Sequence, residues 1–413
     1  MKLNKQSLFS IANLRGLFSF VFLISFPFST AINNIAFGLL MAISTYLLIK
    51  RKSKLQFTRL GYICIGVVIF LISDIVFFGN ISEDIDSILR YLVLLISPML
   101  FMGDKEFAVQ FKKIYLIVYG IFFGIILYNL FQHYIEFNQF VLHKSSVNVG
   151  KSLFFERLYF GLFGTIAAII TCSLFKKSYI IKFIILISIL LIDFMIATRL
   201  AFFMLILIIV SQIIIDSKFI FSKKILLPAV LLIIVFISLA SVNNGFKKRF
   251  FFQSASFDDF VENFKINEPR YAIWKCARLI SLENSDFDKT LGFSGNPELF
   301  SHLFQCYEEH VYIKEKRAWF LRDKLNTHNQ FIHIFLLHGL IGLTLIIFMF
   351  TMFFVYKKDL ISIYLLLTII MFGMIEIFIF RQIGMYLIFI CFSLLSNNGT
   401  SILHQSNNNL KEI

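Results

Sequence analysis

The chain has 413 residues, of which 58% are hydrophobic and only 15% charged, and its formal net charge is +14. Apolar runs of about 18 to 22 residues recur along most of its length, which excludes an ordinary soluble protein. Runs such as 183–187 do not alternate apolar and polar residues, which excludes a transmembrane β-barrel. The composition therefore predicts an all-α, polytopic helical membrane protein.

The apolar segments predict about 12 transmembrane helices. With the N-terminus in the cytoplasm, they lie at roughly 16–29, 31–49, 60–79, 88–103, 113–132, 157–174, 179–196, 199–215, 225–241, 329–356, 359–380 and 382–396. The loops on the inner side, with the two termini, then hold 20 basic residues against five acidic ones. This asymmetry follows the positive-inside rule, so it places both termini in the cytoplasm and accounts for the charge without a nucleic-acid partner.

The short outer loops carry a few charged residues. The loop at 79–86 contains Glu83, Asp84 and Asp86, which predict a solvated acidic cap. Arg157 opens the sixth span, and Arg199 lies in the minimal loop before the eighth. These two arginines place cations at the outer face of the membrane.

One outer loop, at 242–328, is large enough to form a small helical subdomain that covers a site in the membrane part. Pro269-Arg270 opens one amphipathic helix, and Asn296-Pro297-Glu298 opens another. Cys276 and Cys306 lie on these helices, and the sequence leaves open whether they pair. The predicted division is 1–241 with nine transmembrane helices, 242–328 as the loop subdomain, 329–396 with three transmembrane helices, and a polar tail at 397–413.

Four arginines lie at the outer ends of predicted spans or at the start of the loop helix: Arg157, Arg199, Arg270 and Arg381. A guanidinium binds two phosphate oxygens at once, so several arginines around a membrane-level cavity indicate a lipid-linked phosphate or pyrophosphate. Each arginine alone is equally compatible with an ion pair, for example Arg199 with Asp193 or Arg381 with Glu376. Their common position on the outer side favours binding.

Three histidines follow the large loop at intervals of five. Successive side chains are rotated by about 140° on a helix, so His328, His333 and His338 cannot share one face or one metal ion. We predict packing or hydrogen-bonding roles for His333 and His338. His328 lies at the aqueous end beside Asn329, where a neutral imidazole can take a proton from a sugar hydroxyl.

Gly339 and Gly342 follow on the same predicted helix, three residues apart. Small residues at this spacing predict the close approach of another transmembrane helix.

Signatures of several other function classes are absent from the sequence. It contains no GxxxxGK[ST], GxSxG or HExxH motif. A flippase or transporter of lipid-linked sugars, which would not be an enzyme, needs polar groups along a path across the bilayer. Only Asp74, Asp193 and Glu376 are predicted well inside spans, which disfavours that class.

The segment from His328 to Gly342 resembles the signature of the O-antigen ligase family. That signature is His, then Asn, Ser or Gln, nine residues, Gly, two residues, and Gly, Thr or Tyr, and here it reads His328-Asn329, nine residues, Gly339, Leu340-Ile341 and Gly342. Thr198-Arg199, Arg270 with Trp274, and Arg157 before Tyr159 resemble basic positions of the same family. The dozen predicted spans, with one large loop just before the signature, are also similar.

The resemblance implies a glycosyltransferase of the bacterial inner membrane that acts at the periplasmic face without a metal or other cofactor. Its donor would be O-antigen on undecaprenyl pyrophosphate, and its acceptor a hydroxyl of lipid A–core. His328 would act as the base or position the acceptor, while Arg199 and Arg270 would hold the pyrophosphate. Arg157, Asn329 and Arg381 complete the candidate substrate-binding residues. Related O-antigen polymerases and protein O-oligosaccharyltransferases share parts of the pattern and stay as alternatives.

Overall fold

The computed structural model describes residues 5–50, 59–101, 104–138, 156–196, 198–215, 256–293 and 295–397. Within these residues the fold is all-helical, and the single β feature is an isolated antiparallel bridge between Asp288 and Gly292. The predicted all-α class is therefore confirmed. The predicted span at 225–241 and the tail beyond residue 397 lie outside the described residues.

The helices follow the apolar and amphipathic segments of the sequence. They are α1 (Lys5–Ile24), α2 (Thr30–Lys50), α3 (Arg59–Phe78), α4 (Ile81–Ile96, followed by a 3₁₀ turn, Ser97–Leu100), α5 (Lys105–Phe137), α6 (Arg157–Leu174), α7 (Tyr179–Met195), α8 (Arg199–Ile215), α9 (Phe257–Asn267), α10 (Pro269–Glu283), α11 (Asn296–His310), α12 (Lys314–Arg322), α13 (Gln330–Tyr356), α14 (Leu360–Gly373) and α15 (Gln382–Asn397).

Several predicted spans have other bounds in the structure: the helix at 16–29 runs from Lys5 to Ile24, and the helix at 113–132 runs from Lys105 to Phe137. Helix α4 begins at Ile81 rather than at 88, because the Asn80 side chain caps it by accepting a hydrogen bond from the Ser82 N–H at 3.2 Å. Helix α14 ends at Gly373, so the predicted span at 359–380 is too long. Glu376 consequently lies in the connection between α14 and α15 rather than inside a span.

Several helices have the length and apolarity of membrane-spanning segments. Among the described residues, five qualify by both measures: Thr30–Lys50, Leu60–Phe78, Lys105–Glu136, Arg157–Leu174 and Gln330–Tyr356. Shorter apolar helices lie at Asn13–Ile24, Arg199–Ile215, Leu360–Gly373 and Gln382–Leu395. By length and composition, these helices are able to cross a membrane.

The chain forms two compact units that do not follow its order. The first unit is drawn from Met1–Phe18, Ile35–Ala108 and Asn267–Ile413, and the second from Ser19–Asn34 and Val109–Ile266. The first unit therefore contains α10, α11 and α12 of the large loop together with α3, α4 and α13.

A buried ion pair ties α1 to the start of α5 within the first unit. The Arg15 guanidinium is 3% exposed and contacts the Asp104 carboxylate at 2.9 Å, and its Nε donates to the Ser44 hydroxyl at 3.0 Å. Its plane also covers the Phe107 ring at 3.6 Å. Because all of its charge is matched nearby, this arginine can be buried at a predicted membrane edge.

In the second unit, α6 packs against both α7 and α8, and its residues from Tyr159 to Cys172 are buried. Close packing depends on Gly161, because a Cβ placed there would lie 2.7 Å from the Cβ of Ala201 on α8. Small residues at such crossings let helix backbones approach in membrane proteins.

We expect Gly161→Ala to destabilise the second unit by about 1 to 3 kcal/mol, because the added methyl overpacks the α6–α8 contact. Thermal unfolding of the purified protein in detergent measures the effect. Gly120→Ala on α5 is the matched control, since a Cβ there meets no atom within 4 Å. An equal shift in both variants would contradict the packing role of Gly161.

Candidate functional site

Within the large loop, α10, α11 and α12 form a helical subdomain, which we call the loop subdomain, with its core between α10 and α11. Ile273, Cys276 and Ile280 on α10 face Leu299, Leu303 and Cys306 on α11, and all six are buried, as the amphipathic pattern predicts. Cys276 and Cys306 form a disulfide, with their Cα atoms 5.7 Å apart. The pairing that the sequence left open is thus present in the structure.

The core of this subdomain continues into the first part of α13. Leu336 and Leu337 are fully buried in it, and Ile332 and Phe335 pack against it. The Trp274 Nε1–H on α10 also donates to the Thr327 carbonyl at 3.1 Å, just before α13 begins. The segment that carries His328 is therefore fixed to the folded loop.

Helix α13 is broken at Gly339, which has φ 61° and ψ −161°. The turn Asp288–Gly292 lies against the break, and a Cβ at Gly339 would lie 2.1 Å from the Thr290 carbonyl oxygen. A Cβ at Gly342 would instead meet the Cβ of His338 in the same helix, at 2.4 Å. At Gly339 the backbone of a turn, rather than another helix, therefore occupies the space beside the glycine, while α13 as a whole packs against α3.

His328 and Asn329 form the start of α13. The Asn329 Oδ1 caps the helix by accepting from the N–H groups of Phe331 and Ile332, at 2.9 and 3.0 Å. His328, immediately before it, has a positive φ of 44°, and the Asn326 side chain accepts its N–H at 2.9 Å. Asparagine on both sides thus fixes an uncommon backbone conformation at the histidine.

The connection Met374–Arg381, between α14 and α15, faces this helix start and is fastened to it at several points. The Asn329 amide donates to the Met374 carbonyl at 2.9 Å, and the Gln330 Oε1 accepts from the Ile379 N–H at 3.1 Å. The Arg270 Nε donates to the Ile375 carbonyl at 3.1 Å. The loop subdomain, the helix start and this connection therefore form one locally rigid site.

At the centre of the site, the His328 Nδ1 lies 3.2 Å from the Glu376 Oε2. The Glu376 side chain is only 6% exposed and that of His328 is 17% exposed. Burial raises the pKa of Glu376, but the hydrogen bond and charge of His328, the charge of Arg381 and the Ile377 N–H together hold it below its ordinary value. Glu376 is therefore an ionised acceptor at neutral pH, and it accepts a hydrogen bond from the His328 Nδ1, so in the neutral form of this imidazole Nε2 is the nitrogen that can act as a base.

Three arginines of the first unit surround the Met374–Arg381 connection. Arg270 pairs with Glu268 at 2.8 Å besides donating to Ile375. Arg381 ends the connection, and its charge acts on Glu376. Arg90, which the sequence interpretation did not select, donates from α4 to the Phe380 carbonyl at 2.6 Å. Of the arginines predicted to bind phosphate, Arg270 and Arg381 thus lie in the same unit as His328.

Arg157 and Arg199 belong to the second unit, where each is the first residue of a helix. They begin α6 and α8, and both side chains are half-buried. The Asp193 carboxylate, suggested as a partner for Arg199, accepts the Thr198 hydroxyl at 2.8 Å. The proposed binding role of these two arginines stays a prediction.

Asp84 corrects the interpretation of the outer acidic loop as a solvated cap. Its side chain is 1% exposed, and Oδ1 accepts the Asn296 N–H at 3.1 Å and the Asn296 amide at 2.8 Å, at the start of α11. The positive end of a helix suits a carboxylate. Glu83 and Asp86 are exposed, as predicted.

His333 and His338 are hydrogen-bonded, which agrees with the roles predicted for them. The His333 Nε2 contacts the Asn296 Oδ1 at 3.1 Å, and its ring lies 4.4 Å from that of Phe380. His338 contacts Asp74 and Tyr91. Among the described residues, no group of three or more His, Cys, Asp and Glu side chains is arranged to hold a metal ion.

Sequence interpretation missed Glu376 as a site residue and considered it as an ion-pair partner of Arg381 and as one of three polar groups inside spans. The sequence did offer one indication, because a single carboxylate in an otherwise apolar segment predicts that Glu376 is buried and has a partner. The partner itself, 48 residues away in the chain, could not be read from local spacing.

No protein-family model matches the chain, and comparison with curated proteins finds no match. The similarity of the His328–Gly342 segment to the O-antigen ligase signature therefore depends on those residues alone.

Proposed function

We propose that the protein is a membrane glycosyltransferase of the O-antigen ligase type, which transfers O-antigen from undecaprenyl pyrophosphate to lipid A–core. The observation that carries the proposal is the His328–Glu376 pair at the start of α13. A buried carboxylate orients an imidazole whose second nitrogen is left for proton transfer. Arginines beside such a base suit a donor that leaves as a pyrophosphate.

In the proposed reaction, the Nε2 of His328 accepts the proton of the acceptor hydroxyl. The hydroxyl oxygen then attacks the anomeric carbon and forms the new glycosidic bond. The bond from that carbon to the pyrophosphate oxygen breaks, and undecaprenyl pyrophosphate leaves with the electron pair. Arg270 and Arg381 stabilise the charge on the leaving group. A single displacement inverts the anomeric centre, and no metal ion takes part.

The elements of the resemblance have local counterparts in the structure that support the proposal. The pair His328-Asn329 combines the candidate base with a helix cap that also holds the opposing connection. Gly339, ten residues after Asn329, has backbone angles that favour glycine. The signature spacing thus corresponds to the length of one helical segment between a cap and a break.

The topology that we propose has about 12 transmembrane helices, cytoplasmic termini and a periplasmic loop at 242–328. The positive-inside distribution supports this orientation. The Cys276–Cys306 disulfide supports it separately, since disulfides persist in oxidising compartments such as the periplasm. The site would then face the periplasm of a bacterial inner membrane, where lipid-linked donor and lipid A–core acceptor are both embedded.

The nearest alternative is an O-antigen polymerase or a protein O-oligosaccharyltransferase, which would use the same donor and the same base. A flippase of lipid-linked sugars is more distant. Glu376, which sequence interpretation placed inside a span, lies in the Met374–Arg381 connection beside His328. One fewer polar group is therefore left for a path across the bilayer.

Arg270→Ala distinguishes these functions in cells that lack their own copy of the gene. We expect O-antigen to disappear from lipid A–core and to accumulate on the lipid carrier, with transfer lowered by about 10²- to 10³-fold. Gels of lipopolysaccharide and of extracted carrier lipid give the two readouts. Arg278→Ala, an exposed arginine on the same helix, is the matched control and keeps full ladders.

Other gel patterns identify the alternatives. Single repeats that remain attached to core in the Arg270→Ala cells would indicate a polymerase. Carrier-linked O-antigen that stays on the cytoplasmic side would indicate a flippase. Unchanged ladders in cells with no copy of the gene would refute all three functions in that host.

A further inference from the structure

A second buried network lies on α13, at the break rather than at the start of the helix. The His338 Nδ1 contacts the Asp74 Oδ2 on α3 at 2.6 Å, and the His338 Nε2 contacts the Tyr91 hydroxyl on α4 at 3.0 Å. All three residues are at most 3% exposed. Both nitrogens of one imidazole are therefore engaged, each by a different helix.

Burying these three polar side chains costs more free energy than filling the same space with apolar ones. A buried polar or ionic network often contributes less to stability than apolar side chains of the same volume, and its best-attested use is to specify one arrangement. The cost is higher where helices have the apolarity of membrane spans, as α3 and α13 do. The question is then which arrangement Asp74, Tyr91 and His338 specify.

His338 is the last residue before the break at Gly339. The break separates two helical segments, and the turn of the loop subdomain completes the hydrogen bonds that the break leaves open. The Leu340 N–H donates to the Lys289 carbonyl at 2.9 Å, the Ile341 N–H to the Thr290 carbonyl at 3.3 Å, and the Phe293 N–H to the Leu336 carbonyl at 2.9 Å. His338, held by α3 and α4, therefore fixes the C-terminal end of the segment Gln330–His338, and with it the direction of that segment relative to α3 and α4.

We infer that Asp74, Tyr91 and His338 are positioning residues that hold the break in α13 in a single geometry. Through the rigid segment Gln330–His338 they fix the place of His328 opposite Glu376. None of the three contacts the reacting atoms, so they act through His328. The kinetic part of this inference depends on the proposed transferase function, whereas the structural part does not.

Asp74→Asn and Tyr91→Phe test the inference, because both preserve side-chain shape, the first replacing the carboxylate by a neutral amide and the second removing the hydroxyl that contacts His338. We expect backbone hydrogen exchange to rise at least about threefold in peptides covering 288–293 and 338–342, and in the peptide covering 326–332. We expect kcat for glycosyl transfer to fall by about tenfold to 100-fold with KM for the donor within about twofold, since small misplacement of a catalytic group costs that much.

Tyr115→Phe is the matched control, because it also removes a buried tyrosine hydrogen bond, to the Phe163 carbonyl at 3.0 Å in the second unit. It should change neither readout. If exchange is unchanged at the break (288–293 and 338–342) and at the start of α13 (326–332) in both Tyr91→Phe and Asp74→Asn, the inference is overturned, whatever the activity. Faster exchange in those regions with a wild-type protein that has no transferase activity would support the structural part and refute the proposed function.

Discussion

Replacing His328 with alanine is expected to lower the rate of glycosyl transfer by about 10²- to 10⁴-fold, the usual contribution of a general base. The apparent KM for the lipid-linked donor should change little, because the arginines rather than His328 are proposed to hold the pyrophosphate. Single-turnover transfer with purified protein in lipid nanodiscs measures both values.

Glu376→Gln separates the orienting role of the carboxylate from the presence of the base. The amide can donate as well as accept, so it no longer selects the His328 tautomer in which Nε2 is unprotonated, and we expect a loss of about 100-fold. His310→Ala, which removes an imidazole at the end of α11, should keep the wild-type rate. A His328→Ala protein that retains more than about a third of the wild-type rate would falsify the assigned base.

The pKa of Glu376 also bears on how the site responds to acid. Because its pKa in the folded protein lies below the ordinary value, the pair contributes stability at neutral pH, and that contribution is lost only as the pH falls through the lowered pKa. The orienting carboxylate thus stays ionised under conditions in which an ordinary glutamate begins to protonate.

Much of the helical architecture could be predicted from the sequence because its cause is local. Long apolar runs predict α2, α3, α5, α6 and α13 as candidate spans. The amphipathic pattern and the prolines at their first turns predict α10 and α11. Most of the predicted apolar stripe is buried, although Ala272 is only partly buried and Ala277 and Tyr307 are buried in addition.

The features that were missed depend on distant parts of the chain. The local sequence predicts that Asp84 is solvated, yet its carboxylate accepts a hydrogen bond at the start of α11, more than 200 residues later in the chain. His338 and Asp74 are separated by 264 residues, and no spacing rule joins them. The break at Gly339 was missed because a glycine in an apolar run also fits a close helix crossing, and local sequence does not show which neighbour fills the space.

Substituting that glycine is expected to have the largest structural effect in the first unit. Gly339 has backbone angles that essentially only glycine adopts, which alone cost another residue about 1 to 3 kcal/mol. A Cβ at this position would also lie 2.1 Å from the Thr290 oxygen, and overpacking adds about 1 to 3 kcal/mol. We therefore expect Gly339→Ala to lower the free energy of unfolding by roughly 2 to 6 kcal/mol, measured by thermal unfolding in detergent.

Gly292→Ala should reproduce the defect from the other side of the contact, because Gly292 has φ 76° and its added Cβ would lie 2.6 Å from the Gly339 nitrogen. Gly66→Ala on α3 is the matched control, since a Cβ there meets no atom within 4 Å. Wild-type stability in Gly339→Ala would mean that the turn does not lie in the break. If both glycine variants instead unfold at a lower temperature than the wild type while Gly66→Ala does not, the contact between the turn and the break in α13 contributes to the stability of the first unit. Any movement of the loop subdomain must then move His328 with it.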